Sequence, residues 1–268
     1  MIVVWMAERK TMKKLDKQRE HFNKIAEEYF LTRRGKKQKF LRYLICKELF
    51  RDIYINEGKI KVLEPMCGFG AGKEILQWFF KNEMDYEGFD YSEEMVKYAK
   101  ALDPEINIYV QDVTTFKSDN KYDVIILTGG LHHVPDYAGE VLDNCCSLLA
   151  ENGILINVEP TYNNFIFERM CKFTYKHNPV FDEKTERRFS LNELNKLYRR
   201  SKLEIVRQIY PGLLAYLIWG NPDAFPILNR GNLSTVKKIF NIDRHLMYTK
   251  LGKKCSVATF TVLKKKKI

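Results

Sequence analysis

From Lys61 onward the chain alternates short apolar runs with amphipathic ones, and the first apolar run empties into a glycine-rich turn: Lys61-Val62-Leu63-Glu64-Pro65-Met66-Cys67-Gly68-Phe69-Gly70-Ala71-Gly72. Apolar runs of strand length over 61–64, 86–90, 106–110, 122–127 and 154–158 are separated by helical patterns over 71–81, 92–100 and 138–150. Strands too apolar to leave one face in water, each followed by a helix, require a parallel sheet covered on both sides and right-handed crossovers. The expected fold class is therefore α/β, a Rossmann-like doubly wound sheet. Ser92, followed by Glu93 and Glu94, has the form of a helix N-cap with acids in the positive first turn, and Ser190-Leu191-Asn192-Glu193 has capping-box form.

Two amphipathic helices, 13–30 and 39–54, precede this core. After Glu159-Pro160 the alternation loosens. An aromatic-rich helix is expected over 163–176, a helix from Ser190 to about Arg200, a strand near 203–210 and a β-branched strand over 255–263. The stretch 211–250 is too long for a hairpin loop and reads as an inserted helical cap. With no repeat and no linker, the 268 residues read as one domain: an N-terminal helical cap (1–58), a cofactor-binding core (59–160) and a substrate-side half (161–268).

Glycine lets a backbone approach a ligand closely and adopt positive φ, which suits an adenosine-bearing cofactor at such a turn. A phosphate-binding loop needs G-x-x-x-x-G-K-[ST], but Cys67 stands at the first glycine and Glu74 at the hydroxyl position. A dinucleotide fingerprint needs G-x-G-x-x-G, but Lys73 stands where the third glycine belongs. S-adenosylmethionine has no pyrophosphate and needs no third glycine. Asp90, about 20 residues past the turn, can accept from both ribose hydroxyls, Asp112 can accept from the adenine amino group, and Thr128-Gly129-Gly130 passes the sulfonium with little bulk.

These segments resemble a class I S-adenosylmethionine-dependent methyltransferase. The resemblance runs through Val62–Gly70, Gly88-Phe89-Asp90-Tyr91-Ser92-Glu93-Glu94-Met95, Gln111-Asp112-Val113, Tyr122–Leu127, Leu131-His132-His133-Val134-Pro135-Asp136 and Leu148–Gly153, in order and over more than a third of the chain. It implies strand order 3-2-1-4-5-7-6 with the last strand antiparallel. It also implies cofactor contacts at Glu64, Met66, Cys67, Gly68, Gly70, Asp90, Tyr91, Met95, Asp112, Val113 and Thr128, with Tyr29 and Arg33 or Arg34 closing over the methionine end. Met66 departs from the family pattern, which has glycine there; its backbone is expected to stay in a region ordinary for L-residues.

The sulfonium methyl is already activated, so the remaining task is positioning and removal of a proton. Histidine suits a hydroxyl nucleophile. His132 and His133 follow the fourth strand, and Glu159 ends the fifth, where a carboxylate can orient an imidazole and stabilise its protonated form. Three readings stay open: His132 as base, His133 as base, or catalysis by proximity alone.

Net charge is +11, spread as +8 over 1–60, −11 over 61–160 and +14 over 161–268. Basic flanks suit nucleic acid, an anionic lipid surface or a phosphorylated substrate, and equally a lysine-rich solvated surface. Against RNA, Thr128-Gly129-Gly130-Leu131 occupies the place of the Asn-Pro-Pro-Tyr type motif of base-amine methylators. The tail half resembles methyltransferases of cell-surface polysaccharide and secondary-metabolite pathways, which implies O-methylation of a sugar, glycan precursor or other small molecule. RNA methylation and a non-catalytic cofactor-binding partner subunit are the alternatives. The polar stretches Glu159–Asn164 and Asp182–Arg188 suit a hydroxyl-rich ligand. The apolar run Gly212–Gly220 is too short to span a bilayer and reads as a buried lid helix, a dimer face or a patch for a lipid-linked substrate. The six cysteines lack zinc spacing, so no metal is expected, and reduced thiols point to a cytoplasmic protein, monomeric or homodimeric.

Overall fold

A computed structural model describes residues 2–55, 57–163, 169, 187–220, 222 and 226–267, with residues 2–13 and 226 described by backbone only. The core runs β1 (Ile60–Pro65), α3 (Ala71–Gln77), β2 (Met84–Asp90), α4 (Glu93–Leu102), β3 (Ile108–Val110), β4 (Tyr122–Thr128), a 3-10 turn (Leu131–His133), α5 (Ala138–Leu148) and β5 (Leu149–Tyr162). It is preceded by α1 (Ile2–Thr32) and α2 (Lys36–Leu49). It is followed by β6 (Phe189–Ser190), α6 (Leu191–Arg200), β7 (Leu203–Ile209), α7 (Leu214–Trp219), α8 (Leu233–Leu246), α9 (Lys250–Cys255) and β8 (Ala258–Lys265).

The strand order is β3-β2-β1-β4-β5-β8-β7, with the two-residue β6 paired to β5 off this path. Setting β6 aside, this is the expected order, and β8 runs antiparallel to both β5 and β7. Side chains alternate across the sheet, as a period of two demands. Val62, Val124, Ile126, Ile156 and Val262 enter one apolar layer with Leu41, Ile45 and Leu49 of α2. Leu63, Ile125, Leu127, Leu155 and Leu263 enter the other, with Leu142 of α5 and Leu194 of α6. Because both faces are sealed, the ends of the strands are where a ligand can enter. The order reverses between β1 and β4, the switch point at which open α/β sheets bind ligands.

Both expected caps form. Ser92 accepts from the Met95 N–H and Ser190 from the Glu193 N–H, each at 3.2 Å. Other boundaries differ. The helices expected over 71–81 and 138–150 stop at Gln77 and Leu148. Asn152-Gly153 lies within β5, where the β4–β5 register shifts between Tyr122 and Val124. The strand expected at 255–263 begins at Ala258, because Thr249 caps α9 by accepting from the Gly252 N–H and holds Cys255 in a helix. Within the expected insertion, α7 and α8 are tied together by Asp243, which accepts from the Ala215 N–H at 2.6 Å. Nearly all of the helix expected over 163–176, and the acidic part of Asp182–Arg188, fall outside the described residues. Among the described residues no helix is long and apolar enough to cross a membrane.

Candidate functional site

The turn after β1 is built from left-handed backbone. Gly68 has φ 55° and Gly70 φ 78°, and Met66 joins them at φ 53°, contrary to the expectation for an L-residue. Such a conformation is costly for a residue with a Cβ and persists only where its surroundings impose it. Here packing against Gly130 does so: a Cβ on Gly130 would stand 2.6 Å from Met66 Cε and 3.1 Å from Met66 Cβ. The absent side chain at Gly130 thus makes room for the one that replaces glycine at Met66. The turn is further held by the Cys67 N–H, which donates to Phe89 O at 3.0 Å.

Two acids at strand ends organise this floor. Asp90 accepts from the Gly68 N–H at 2.8 Å and from the Ser92 N–H at 2.9 Å, so it links the turn to the start of α4. Partial burial raises its pKa, and these N–H groups pull it back down. Glu64 is fully buried; its oxygens accept from Tyr86 Oη at 2.6 Å and the Gly72 N–H at 2.8 Å. Burial pushes its carboxyl up to about 7. Its hydrogen bonds are thus directed at the protein, as a brace between β1, β2 and α3.

Above the floor lies a cleft, open at its mouth. Of the residues the sequence singles out, the cleft brings together Tyr29, Glu64, Met66, Cys67, Gly68, Asp90, Tyr91, Met95, Asp112, Val113, Thr128 and His133. Arg33 is there too, whereas Arg34 is exposed, lies over Phe30 at 5.1 Å and does not line the cleft. Gly70 does not line it either: a Cβ there would meet Ile108 Cδ1 at 3.0 Å, so this glycine serves helix–sheet packing. Asp112 Oδ1 accepts from the N–H and hydroxyl of Thr114, both at 2.8 Å, which fixes the carboxylate at the end of β3.

Three observations mark a built ligand site. A Cβ placed on Gly68 would meet nothing within 4 Å, so the turn leaves open space at its tip. Thr128 Oγ1 is buried without a hydrogen-bond partner among the described residues. Arg42 of α2 lines the cleft half-buried and has no hydrogen-bond or ion-pair partner among them. Polar groups in such positions are normally satisfied, so a ligand is the natural partner.

The roof is α1. Gln18 Nε2 lies 2.8 Å from His133 Nδ1, Phe22 meets the His133 ring edge-on at 4.9 Å, and Asn23 Oδ1 accepts from Ser92 Oγ at 2.6 Å. Sequence reasoning missed Gln18, Arg19 and Arg42 as cleft residues. A lone Gln or Arg on an amphipathic helix carries no motif; only their position on the inward face could have drawn attention.

His132 and Glu159 stand together behind the cleft wall. His132 Nδ1 is 2.9 Å from Glu159 Oε2, and the Leu131 N–H donates to Glu159 Oε1 at 2.9 Å. The carboxylate is wholly buried, while the imidazole keeps 11% of its side chain exposed. Burial pushes the carboxyl pKa up and the imidazole pKa down, because it disfavours the charged form of each group. Arg188 and Arg33 depress the imidazole further. The ring lies at the wall: a Cβ on Gly129, which lines the cleft, would be 3.7 Å from His132 Cε1.

The family model described as a methyltransferase domain matches residues 62–153. Among solved structures, the chain is similar to one from the complex between the Haloferax volcanii Trm112 methyltransferase activator and a methyltransferase (TM-score 0.59, 16% identity, covering 92% of this chain and 98% of that one). It is also similar to an S-adenosylmethionine-dependent methyltransferase from Clostridium acetobutylicum (0.55, 14%, 92% and 99%). A third is the cyclopropane synthase MmaA2 from Mycobacterium tuberculosis (0.53, 13%, 85% and 83%). At these identities the structural likeness speaks for the fold.

Proposed function

Starting from a chain that carries a class I S-adenosylmethionine-dependent methyltransferase domain over residues 62–153, we propose that it methylates a hydroxyl of a sugar, glycan precursor or other small molecule, with His132 as general base. The cofactor's sulfonium supplies an activated methyl group. The observation that carries the reading is the 2.9 Å contact between His132 Nδ1 and the buried Glu159 carboxylate.

With Nδ1–H donated to Glu159, the lone pair is left on Nε2, the nitrogen able to take the acceptor's proton. As the oxygen–methyl bond forms, the hydroxyl proton passes to Nε2, and the imidazolium is stabilised by the carboxylate beside it. His133 is a weaker candidate, because its Nδ1 faces the amide of Gln18, which cannot offset a positive charge as a carboxylate does. For the cofactor, Asp90 suits the ribose hydroxyls, Asp112 and Val113 the adenine edge, and Arg42 the methionyl carboxylate. Thr128 Oγ1 and Arg42, which have no hydrogen-bond partner among the described residues, and the open space at Gly68 support that fit.

The test is a labelled methyl-transfer screen over sugars, glycolipids and RNA. Transfer to a small hydroxyl compound, with alkali-stable label recovered as a methyl ether, supports the reading. Transfer to RNA alone, with binding that weakens steeply with salt, would replace it.

A further inference from the structure

The segment between β7 and β8 is one-sided in charge. Residues 226–255 hold seven basic side chains and a single acidic one. That acid, Asp243, is buried and accepts from the Ala215 N–H. Every charge the segment turns outward is therefore positive. Arg244 is drawn to Glu48 of α2 at 3.5 Å, while Lys237, Lys238, Lys250, Lys253 and Lys254 are all exposed.

The same stretch also exposes apolar side chains. Val236, Phe240, Asp243 and Met247 are buried at helical spacing, which sets the inward side of α8 and leaves Lys238 and Ile242 on the outward side. Ile242 is 62% exposed, Leu251 on α9 59% and Ile227 before α8 79%; Leu228, Leu233 and Tyr248 are exposed as well. Six large apolar side chains thus reach solvent within residues 227–251. Helix α9 is held against the end of α8, since Gly252 packs on the Leu246 carbonyl too closely to admit a Cβ. Leu251 and its flanking lysines accordingly extend the surface that Ile242 and Lys238 begin.

This surface stands at the ligand edge of the sheet. In the β5–β8 pair, Ala258 lies opposite Pro160 and Thr259 opposite Glu159, and in the β7–β8 pair Ile209 lies opposite Phe260. The chain therefore leaves β7 and enters β8 at the edge where Glu159 contacts His132. Helix α2, which reaches the cleft through Arg42, is tied to the same cap. Gln38 Nε2 donates to Gly220 O at 2.9 Å and Lys37 Nζ to Asn229 O at 2.6 Å.

We propose that residues 227–254 dock on an anionic lipid bilayer, with α8 lying in the headgroup plane and Ile242 and Leu251 entering the acyl boundary. A helix of 14 residues is too short to cross the bilayer but long enough to lie on it. Lysines attract anionic headgroups and apolar side chains insert beneath them; together they give peripheral binding that neither gives alone. Charge disfavours a second copy on this surface, because lysine would face lysine. Nucleic acid would meet the lysines but leave Ile227, Ile242 and Leu251 without a partner, as aliphatic side chains offer no ring for a base to stack on. Docking brings the ligand edge of the sheet to the headgroup zone, so that a membrane-anchored acceptor reaches it without leaving the bilayer. That consequence alone rests on the proposed methyl transfer.

The test is flotation of the full chain with vesicles of phosphatidylcholine alone or of phosphatidylcholine with phosphatidylserine. Binding to the anionic vesicles and not to the neutral ones is expected. Ile242→Glu and Leu251→Glu should each weaken it about tenfold or more, the worth of one buried aliphatic side chain. Lys253→Gln combined with Lys254→Gln should also weaken it about tenfold or more. Leu102→Glu, at an exposed apolar position on α4, should change nothing. Because all these positions are exposed, melting temperatures near wild type are expected and separate lost docking from lost fold. No binding to anionic vesicles, equal binding to neutral ones, or binding indifferent to Ile242 and Leu251 would overturn the proposal. Salt-sensitive RNA binding without vesicle binding would assign the lysines to nucleic acid, and a dimer broken by Ile242→Glu without vesicle binding would assign the surface to a second copy. S-adenosylhomocysteine affinity measured without vesicles tests the cofactor reading separately, so the two failures stay apart.

Discussion

Glu159 divides its two oxygens between a side chain and the backbone: Oε2 lies 2.9 Å from His132 Nδ1, and Oε1 accepts the Leu131 N–H at 2.9 Å. One buried carboxylate thus contacts both the backbone of the 3-10 turn after β4 and the histidine on it. Glu159→Gln separates these roles. Its amide oxygen can still accept from Leu131, but its NH2 must donate to Nδ1, which forces the proton onto Nε2 and blocks the base. Turnover should fall about a hundredfold or more while the melting temperature and S-adenosylhomocysteine affinity stay near wild type. Full turnover in this variant would show that the carboxylate does not orient a base.

Asp90 is predicted to control cofactor affinity. It holds the Gly68 N–H at 2.8 Å and the Ser92 N–H at 2.9 Å, so its loss loosens the turn and, on the proposed reading, removes the acceptor for the ribose. Hydrogen bonds to a charged group contribute about 1.5–3 kcal/mol each. Asp90→Ala should therefore weaken S-adenosylhomocysteine binding at least about a hundredfold by calorimetry; a change of less than tenfold would remove Asp90 from the ribose site.

Arg42 should act on binding alone. It lines the cleft without a hydrogen-bond or ion-pair partner among the described residues. If it meets the methionyl carboxylate, Arg42→Ala raises KM for S-adenosylmethionine about tenfold with kcat little changed. A drop in kcat at constant KM would assign it to the acceptor instead.

Glu64 gives a pH signature. Burial raises its carboxyl to about 7, from an ordinary value of 4.5. Between those values the unfolded chain has released a proton that the folded chain retains. The contribution of Glu64 to stability is therefore fully present below about 4.5 and is lost as pH rises through about 7. In Glu64→Gln the amide oxygen can accept from Gly72 and the NH2 can donate to Tyr86 Oη, so the fold survives without the titration. The melting temperature of the variant, followed between pH 4.5 and 7, should lack the downward component that Glu64 gives the wild type. Parallel curves would place the titration elsewhere.

The parts of this protein legible in its sequence are those with a period or a cap. Val62 and Leu63, or Ile125 and Ile126, go to opposite layers because adjacent strand residues must, and Ser92 and Ser190 announce their helices by the bond each makes. Position-specific geometry was not legible. Nothing local tells that Met66 adopts φ 53°, since the cause is the room left by Gly130, 64 positions away. Helix α9 escaped because its stretch Lys250–Cys255 has no apolar period, only a threonine cap before it. In the site, strand ends carrying acids could be read in order, but Glu64 and Asp90 look alike in sequence. Their difference lies in burial: Glu64 is fully buried against Tyr86 and Gly72, whereas Asp90 stays half-buried beside the Gly68 and Ser92 N–H groups. Adjacent His132 and His133 likewise become distinct only when Glu159 and Gln18 are brought to them from 27 and 115 residues away.

The division of labour between a cradle that holds the cofactor and a histidine that removes the proton is tested most directly by His132→Ala, read for binding and for turnover in one preparation. Micromolar S-adenosylhomocysteine binding should persist while methyl transfer to the identified acceptor falls at least about a hundredfold. Unchanged turnover with intact binding would contradict the account, because the proton would then leave by a route that does not involve His132.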